Sequence, residues 1–383
     1  MSFRIASFNI QKFGKMSVKQ NKDGDTKKDL NTIANIIIEN NFDIVAIQEI
    51  YHKEAMKELL EKISGQYAEK CGGVLLRGNY EMSTTPDISS RMNASYGYRT
   101  KHWEGRWAQP ISYYGGNGIA EGYAFIWNRD RIKLVTNKLG ETFEPRIADF
   151  GDSKKLARPP LIGRFMPING SYEIRLINVH IVYAVPSKKI DEDEDMELEV
   201  TQTDTNDYEL RKSEFDSLIS TIYVDYSTQI FDKTRHDKLP QNLVPYTFML
   251  GDYNLNLSSV KGQSSARLDQ KREAFAIKSK SDMNIITVND KLTSLKGKSR
   301  DPKKQELLRN DSTVSHHLAN NYDHFSYDIN VLKTHHIAQP IEGVVMAFNN
   351  YNDTDTETKY DIYRSKVSDH IPIYLEFDVR KRP

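Results

Sequence analysis

The chain has 383 residues, 38% of them apolar and 10% aromatic, enough for a large buried core, and no apolar run nears the roughly 18 residues that span a bilayer. Its 53 basic and 53 acidic residues cancel, which excludes a global field toward nucleic acid or an anionic membrane, so such affinity must come from local patches. The single cysteine, Cys71, excludes an intramolecular disulfide, and Met1 runs into a strand pattern without a secretory signal. A cytoplasmic location is expected, with leaderless export as the alternative.

Residues 3–10, FRIASFNI, are apolar on both faces and predict a buried strand. Leu30, Ile33, Ala34 and Ile37 then follow helical spacing before FDIVAIQEI returns to strand, giving a β-α-β opening. A second helix carries Met56, Leu59, Leu60 and Ile63 on one face. Further strands are expected at 122–128, 172–182, 246–254, 322–329 and 371–379, and a third helix around Phe215, Leu218, Ile219 and Ile222. Polar segments at 91–118, 191–199, 294–309 and 349–359 read as long loops. Strands dominate, with helices between them, which favours packed sheets covered by helices.

Asn9 interrupts the first strand, and a buried amide needs partners from the backbone or from something bound. Other strands also end in polar residues: Glu49 in AIQE, His180 in INVH, and Asp252 with Asn254 in LGDYN, while Asp369 and His370 precede the last. Taken singly, each has a plainer reading, since Asn and Asp form turns and a buried histidine often bonds within a core. As a set they supply oxygen donors of the kind Mg²⁺ or Mn²⁺ prefers, delivered from distant parts of the sequence. Asp252 and Asn254, two apart, are expected on one strand face.

Two histidines, several carboxylates and no Ser or Cys nucleophile motif suit attack of water on a phosphodiester, which needs a base, an acid and charge stabilisation. Glu121 and Asp323 are available to fix a histidine tautomer and raise its pKa.

The motifs RIASFNIQKFG, DIVAIQEI, AEGYAFIWNRDRI, ARPPLIGRF, INVHIVYAVPS, FMLGDYNLNLSS, NNYDHFSYD and VSDHIPIYLEF occur in that order over residues 4–377. They resemble the DNase I branch of the endonuclease/exonuclease/phosphatase superfamily. The resemblance implies a four-layer α/β/β/α sandwich with two central mixed sheets, one domain over 1–383 with insertions near 66–118, 186–210 and 258–315. It pairs Glu121 with His180 and Asp323 with His370 as acid and base. Asn9, Glu49, Asp369 and Asp252 would hold a divalent cation, Mg²⁺ or Mn²⁺, with Ca²⁺ as a structural or activating ion. Asp252 and Asn254 would orient the phosphate beside Asn9, and Arg158 matches a DNA-contacting arginine. The implied activity is a DNA endonuclease with little sequence preference and nucleic acid, DNA foremost, as partner. Tyr51 stands where the family has an arginine, and Leu257 where the secreted nucleases begin a disulfide.

The stretch YGYRTKHWEGRWAQPISYYGG interleaves Tyr98, Trp103, Trp107, Tyr113 and Tyr114 with Arg99, Lys101 and Arg106, a pattern that fits either stacking on unpaired bases or a self-packed loop. The basic segment 294–309 fits a phosphate backbone or a solvated face, and the acidic run 191–199 would repel nucleic acid. Two rival readings stay open: a phosphatase or phospholipase C-type member acting on inositol phosphates, phosphoinositides or sphingomyelin, and a non-catalytic scaffold.

Overall fold

The computed structural model describes residues 2–14, 28–70, 95–110, 121–136, 140–151, 153, 156–169, 172–181, 202–228, 245–256, 283–289, 291–297, 306–307, 313–334, 338–354 and 357–378. Cys71, Tyr113, Tyr114, the acidic run 191–199, Leu257 and much of the basic segment 294–309 lie outside the described residues.

The opening forms as predicted, with β1 (Ser2–Phe13), α1 (Leu30–Glu39) and β2 (Ile44–Ile50), followed by α2 (Lys53–Lys70). The segment read as a loop at 91–118 instead holds two strands, β3 (Ser95–Arg99) and β4 (Trp103–Ala108), which extend the sheet through β5 (Gly122–Asn128). Tyr98, Trp103 and Trp107 are buried in the same cluster as Met56, Leu59 and Ile63 of α2. Arg106 is buried and pairs with Glu144, and Arg99 pairs with Glu104 at 3.0 Å. These rings therefore pack a sheet face and are not a platform for bases; β-favouring aromatics with one buried face won over the loop reading.

Nine further strands follow: β6 (Ile132–Leu134), β7 (Arg146–Ile147), β8 (Leu161–Pro167), β9 (Glu173–His180), β10 (Pro245–Asp252), β11 (Ile285–Val288), β12 (Asp323–Asp328), β13 (Ile341–Val344) and β14 (Ile373–Asp378). The predicted third helix straddles two geometries. It begins in α3 (Gln202–Ser217), passes through a π-helical stretch at Leu218–Tyr223 and continues into α4 (Val224–Thr228), with Phe215, Leu218, Ile219 and Ile222 all buried.

The strands form two mixed sheets of seven, one ordered β13-β14-β1-β2-β5-β4-β3, the other β11-β12-β10-β9-β8-β6 with β7 on β8. Three apolar clusters give the layers. Phe3, Ile5, Ile44, Phe125, Leu176, Leu250 and Phe325 fill the space between the sheets. Ala6, Phe8, Val45 and Ala124 pack outward under α1, α2 and the helix Lys359–Lys366. Ile177, Val179 and Met249 pack outward under α3, α4 and the π-helical turn. The result is the expected α/β/β/α sandwich.

Strand alternation then fixes which polar residues can meet. Phe3 and Ile5 of β1, Phe125 and Trp127 of β5, Ile174 and Leu176 of β9, Phe248 and Leu250 of β10, and Phe325 and Tyr327 of β12 all face the inter-sheet space. Asn9, Glu121, His180, Asp252 and Asp323 share the parity of these residues and lie at or beyond the same ends of the strands, so both sheets send polar groups to one place.

Candidate active site

Glu49 breaks the parity rule. Ile44 and Ala46 face the other sheet and Val45 and Ile47 face the helices, so Glu49 should point to the helices. The ladders shift register between Ile47 and Ile50 on the β5 side and between Asn9 and Phe13 on the β1 side, and Glu49 takes φ +60°. Such an irregularity re-aims a side chain, and a non-glycine residue in the left-handed region is strained enough to need support from its surroundings. Glu49 Oε1 accepts from Asn9 Nδ2 at 3.0 Å, and Oε2 accepts from the Lys12 backbone N–H at 3.1 Å. Asn9 itself lies within β1, not at its end, because the strand resumes pairing at Phe13.

Asn9 Nδ2 also donates to Asp252 Oδ2 at 3.0 Å, which joins the two sheets at the site. Asp252 is delivered by Gly251, whose φ is +147° and where a Cβ would lie 1.9 Å from the Val179 carbonyl oxygen. Only glycine lets β10 pass so close to β9 there. Asn254 does not continue the strand face as the two-residue spacing predicted. It sits in a turn at φ +49°, its backbone N–H donates to Asp252 Oδ1 at 2.8 Å, and its Nδ2 donates to the Ile181 carbonyl at 2.8 Å. The turn chemistry of an Asx motif displaced strand geometry.

Two histidine–carboxylate pairs flank Asp252. His370 Nδ1 lies 2.7 Å from Asp323 Oδ2, and His180 Nδ1 lies 3.0 Å from Glu121 Oε2. Their Nε2 atoms both face Asp252 Oδ2, at 3.5 Å from His370 and 3.7 Å from His180. Burial pushes the His370 pKa down, but Asp323, Asp252 and Asp369 outweigh it and hold it well above the ordinary value. Burial and Arg158 lower that of His180, yet Glu121 and Asp252 leave it raised. Burial works to raise Glu121, while His180, Arg158 and Tyr51 bring it down to about 2. Asp252 is raised, mainly by burial and by Asp323 beside it.

Arg158 does not extend outward. Its Nη1 lies 2.7 Å from Glu121 Oε2 and 2.7 Å from His180 Nδ1. A protonated Nδ1 cannot accept from Arg158, so with His180 charged the hydrogen bonds of both groups run to Glu121. Asp369 Oδ2 accepts from Gln11 Nε2 at 2.6 Å, and Ser368 Oγ donates to the Asn9 carbonyl at 2.7 Å and accepts from the His370 N–H at 3.1 Å. Burial pushes the Lys28 pKa down to about 8 against the opposing fields of Asp369 and Glu49, so a cation also borders the acidic group.

Sequence reasoning missed the residues beneath this layer. Gln48, Asn178 and Ser7 are buried with inter-sheet parity in otherwise apolar strands, the one signal that could have found them. Asn178 Nδ2 donates to the Ile47 and Ala124 carbonyls, both at 3.1 Å, while its Oδ1 accepts from Gln48 Nε2 at 2.7 Å. It thus satisfies carbonyls beside the irregularity that turns Glu49.

The donor set fits a divalent cation. Asn9 Oδ1 and Asp369 Oδ1 are buried and have no hydrogen-bond partner among the described residues, and the Glu49 and Asp252 carboxylates share the Asn9 amide. Asp252, Asp323 and His370 also offer ligand atoms within 4.8 Å of one another, a buried group able to hold a metal ion. Hard oxygen donors carrying excess negative charge are what such an ion takes.

A two-sheet sandwich with two histidine–carboxylate pairs around a buried acidic centre defines a class of hydrolytic protein. The family model of the endonuclease/exonuclease/phosphatase family matches residues 6–270, and this chain belongs to that family. Its members are typically hydrolases of phosphoester bonds that use divalent metals. No curated protein matches the sequence. Among solved structures, an endonuclease/exonuclease/phosphatase from Bacteroides vulgatus is similar at 10% identity and TM-score 0.46, covering 99% of this chain and 100% of that one. A family protein from Bacteroides thetaiotaomicron is similar at 15% identity and TM-score 0.43, covering 99% of each chain. D. rerio TDP2 complexed with single strand DNA product is similar at 12% identity and TM-score 0.40, also covering 99% of each. No helix among the described residues is long and apolar enough to cross a membrane.

Proposed function

We propose that this protein is a divalent-metal-dependent phosphodiesterase that cuts DNA with little sequence preference. The observation that carries the reading is the pair of Nε2 atoms facing one carboxylate oxygen of Asp252 from two sides, each ring backed by its own carboxylate. A phosphate seated beside Asp252 would meet a proton-transfer group on each flank. One ring takes the proton of the attacking water, and the other gives a proton to the leaving oxygen. Asp323 and Glu121 hold the rings by Nδ1, leaving Nε2 for that exchange.

Asn9, Glu49, Asp252 and Asp369 would hold the cation, Mg²⁺ in this reading, with Mn²⁺ able to replace it. When bound, it supplies charge stabilisation at the phosphoryl oxygens. Asn254 supports the Asp252 carboxylate through its backbone N–H. Arg158 lies near enough to the histidine to offer a cation to a substrate phosphate.

The test incubates purified protein with supercoiled plasmid and Mg²⁺, with EDTA and His370→Ala as controls. Metal-dependent nicking lost in the variant is expected. A folded wild-type protein that leaves plasmid intact but releases inorganic phosphate from phosphoinositides or inositol phosphates overturns the DNA reading in favour of a phosphatase. A protein inert toward both returns the scaffold reading.

A further inference from the structure

Tyr51 stands next to the irregularity in β2 and reaches Glu121. The pairing of Ile50 with Gly122 in the antiparallel β2–β5 ladder places Tyr51 and Glu121 as the next cross-strand neighbours beyond it. Tyr51 is buried, its backbone N–H donates to the Phe13 carbonyl at 2.8 Å, and its hydroxyl donates to Glu121 Oε1 at 2.8 Å. Gly122 makes this approach possible, since a Cβ there would lie 2.6 Å from the Ile50 carbonyl oxygen and 2.5 Å from Trp107 Nε1.

Glu121 therefore divides its two oxygens. Oε1 takes the phenol, and Oε2 takes His180 Nδ1 at 3.0 Å and Arg158 Nη1 at 2.7 Å. A carboxylate can rotate about its last bond, and a donor fixed on one oxygen removes that freedom and commits the other oxygen to the imidazole. We propose that Tyr51 is a positioning residue of the hydrolytic reaction, holding Glu121 so that His180 keeps one ring orientation. The proposal rests on the phosphodiesterase reading for its kinetic consequence, but not for the hydrogen-bond chain itself. Tyr51 touches no reacting atom. It serves the site from the end of a ladder where an arginine would instead have extended toward solvent.

The test uses full-length Tyr51→Phe, which deletes one oxygen, together with Glu121→Gln and the double variant. Plasmid nicking kinetics with Mg²⁺ and the ¹⁵N signals of the His180 ring are followed. Tyr51→Phe is expected to lower kcat about 10- to 100-fold with KM unchanged. It should cost little further activity in the Glu121→Gln background and shift the His180 ring signals in the way Glu121→Gln does. A wild-type kcat in Tyr51→Phe, or a loss that multiplies fully with that of Glu121→Gln, overturns the proposal. If wild-type protein does not nick plasmid, the phosphodiesterase reading fails by itself and the ring signals decide. A shared shift upholds the Tyr51–Glu121–His180 chain, and signals unmoved by Tyr51→Phe sink it.

Discussion

Gln48 in the first sheet and Asn178 in the second share a 2.7 Å hydrogen bond across the protein interior, directly below the acidic centre. The same Asn178 amide closes the Ile47 and Ala124 carbonyls next to the register shift that turns Glu49 into the site. Two residues after Asn178 on the same face of β9 stands His180, so one buried amide links the strand of a histidine to the irregularity that aims a carboxylate.

Replacing Asn178 by Ala leaves two carbonyls and the Gln48 amide without this partner. Unsatisfied buried groups cost about 1–3 kcal/mol each, and partial relaxation should bring the total to about 2–4 kcal/mol in urea unfolding. Plasmid nicking should fall at the same time, although no reactive group is removed. Activity at the wild-type level in a destabilised variant would show that Glu49 is aimed without the bridge.

Gly251→Ala sets a Cβ against the Val179 carbonyl oxygen, 1.9 Å away on the unaltered backbone, at φ +147°. Neither strand can move without disturbing Asp252 and His180. Stability should drop by about 3 kcal/mol, read as a lower thermal midpoint, with activity depressed even in the fraction that stays folded.

Asp323→Asn keeps the size of the group and removes its charge. Asp323 Oδ2 accepts from His370 and helps to hold the ring's pKa above its ordinary value against burial. An amide has no such field, so the ring should lose fixed orientation and protonate less readily. Nicking should fall about 10- to 100-fold with circular dichroism unchanged; full activity would remove Asp323 from the machinery.

The buried trio Arg164, Glu173 and Arg175 lies at the opposite end of β9 from His180. Glu173 Oε1 accepts from Arg164 Nε at 2.5 Å and Arg175 Nε at 2.8 Å. Burial alone would raise the Glu173 pKa, but the two guanidinium groups outweigh it and hold it below the ordinary 4.5. A lowered folded-state pKa contributes stability that is full above the unfolded value and is lost as pH falls through the folded one. Glu173→Gln strands two buried cations and should cost about 3–5 kcal/mol at pH 7. Urea midpoints at pH 7, 5, 4 and 3 should show the gap between wild type and variant narrowing below pH 4.5. A gap constant with pH would mean that the carboxylate charge contributes nothing.

The sequence by itself determined the β-α-β opening, the apolar strands and the identity of the polar residues that gather at their ends. It could do so because alternation is local: Asn9, Glu121, His180, Asp252 and Asp323 carry the parity of their apolar neighbours, and a strand with one parity can send them only one way. Tertiary structure decided the rest. Glu49 faces the site against its parity because two ladders shift register around it, and Asn254 leaves the strand face because its backbone N–H turns to Asp252. The aromatic stretch at 95–108 packs under α2 because neighbouring strands were there to pair with it. Asn178 and Gln48 meet only because two sheets lie face to face, and no spacing within one strand records a partner 130 residues away.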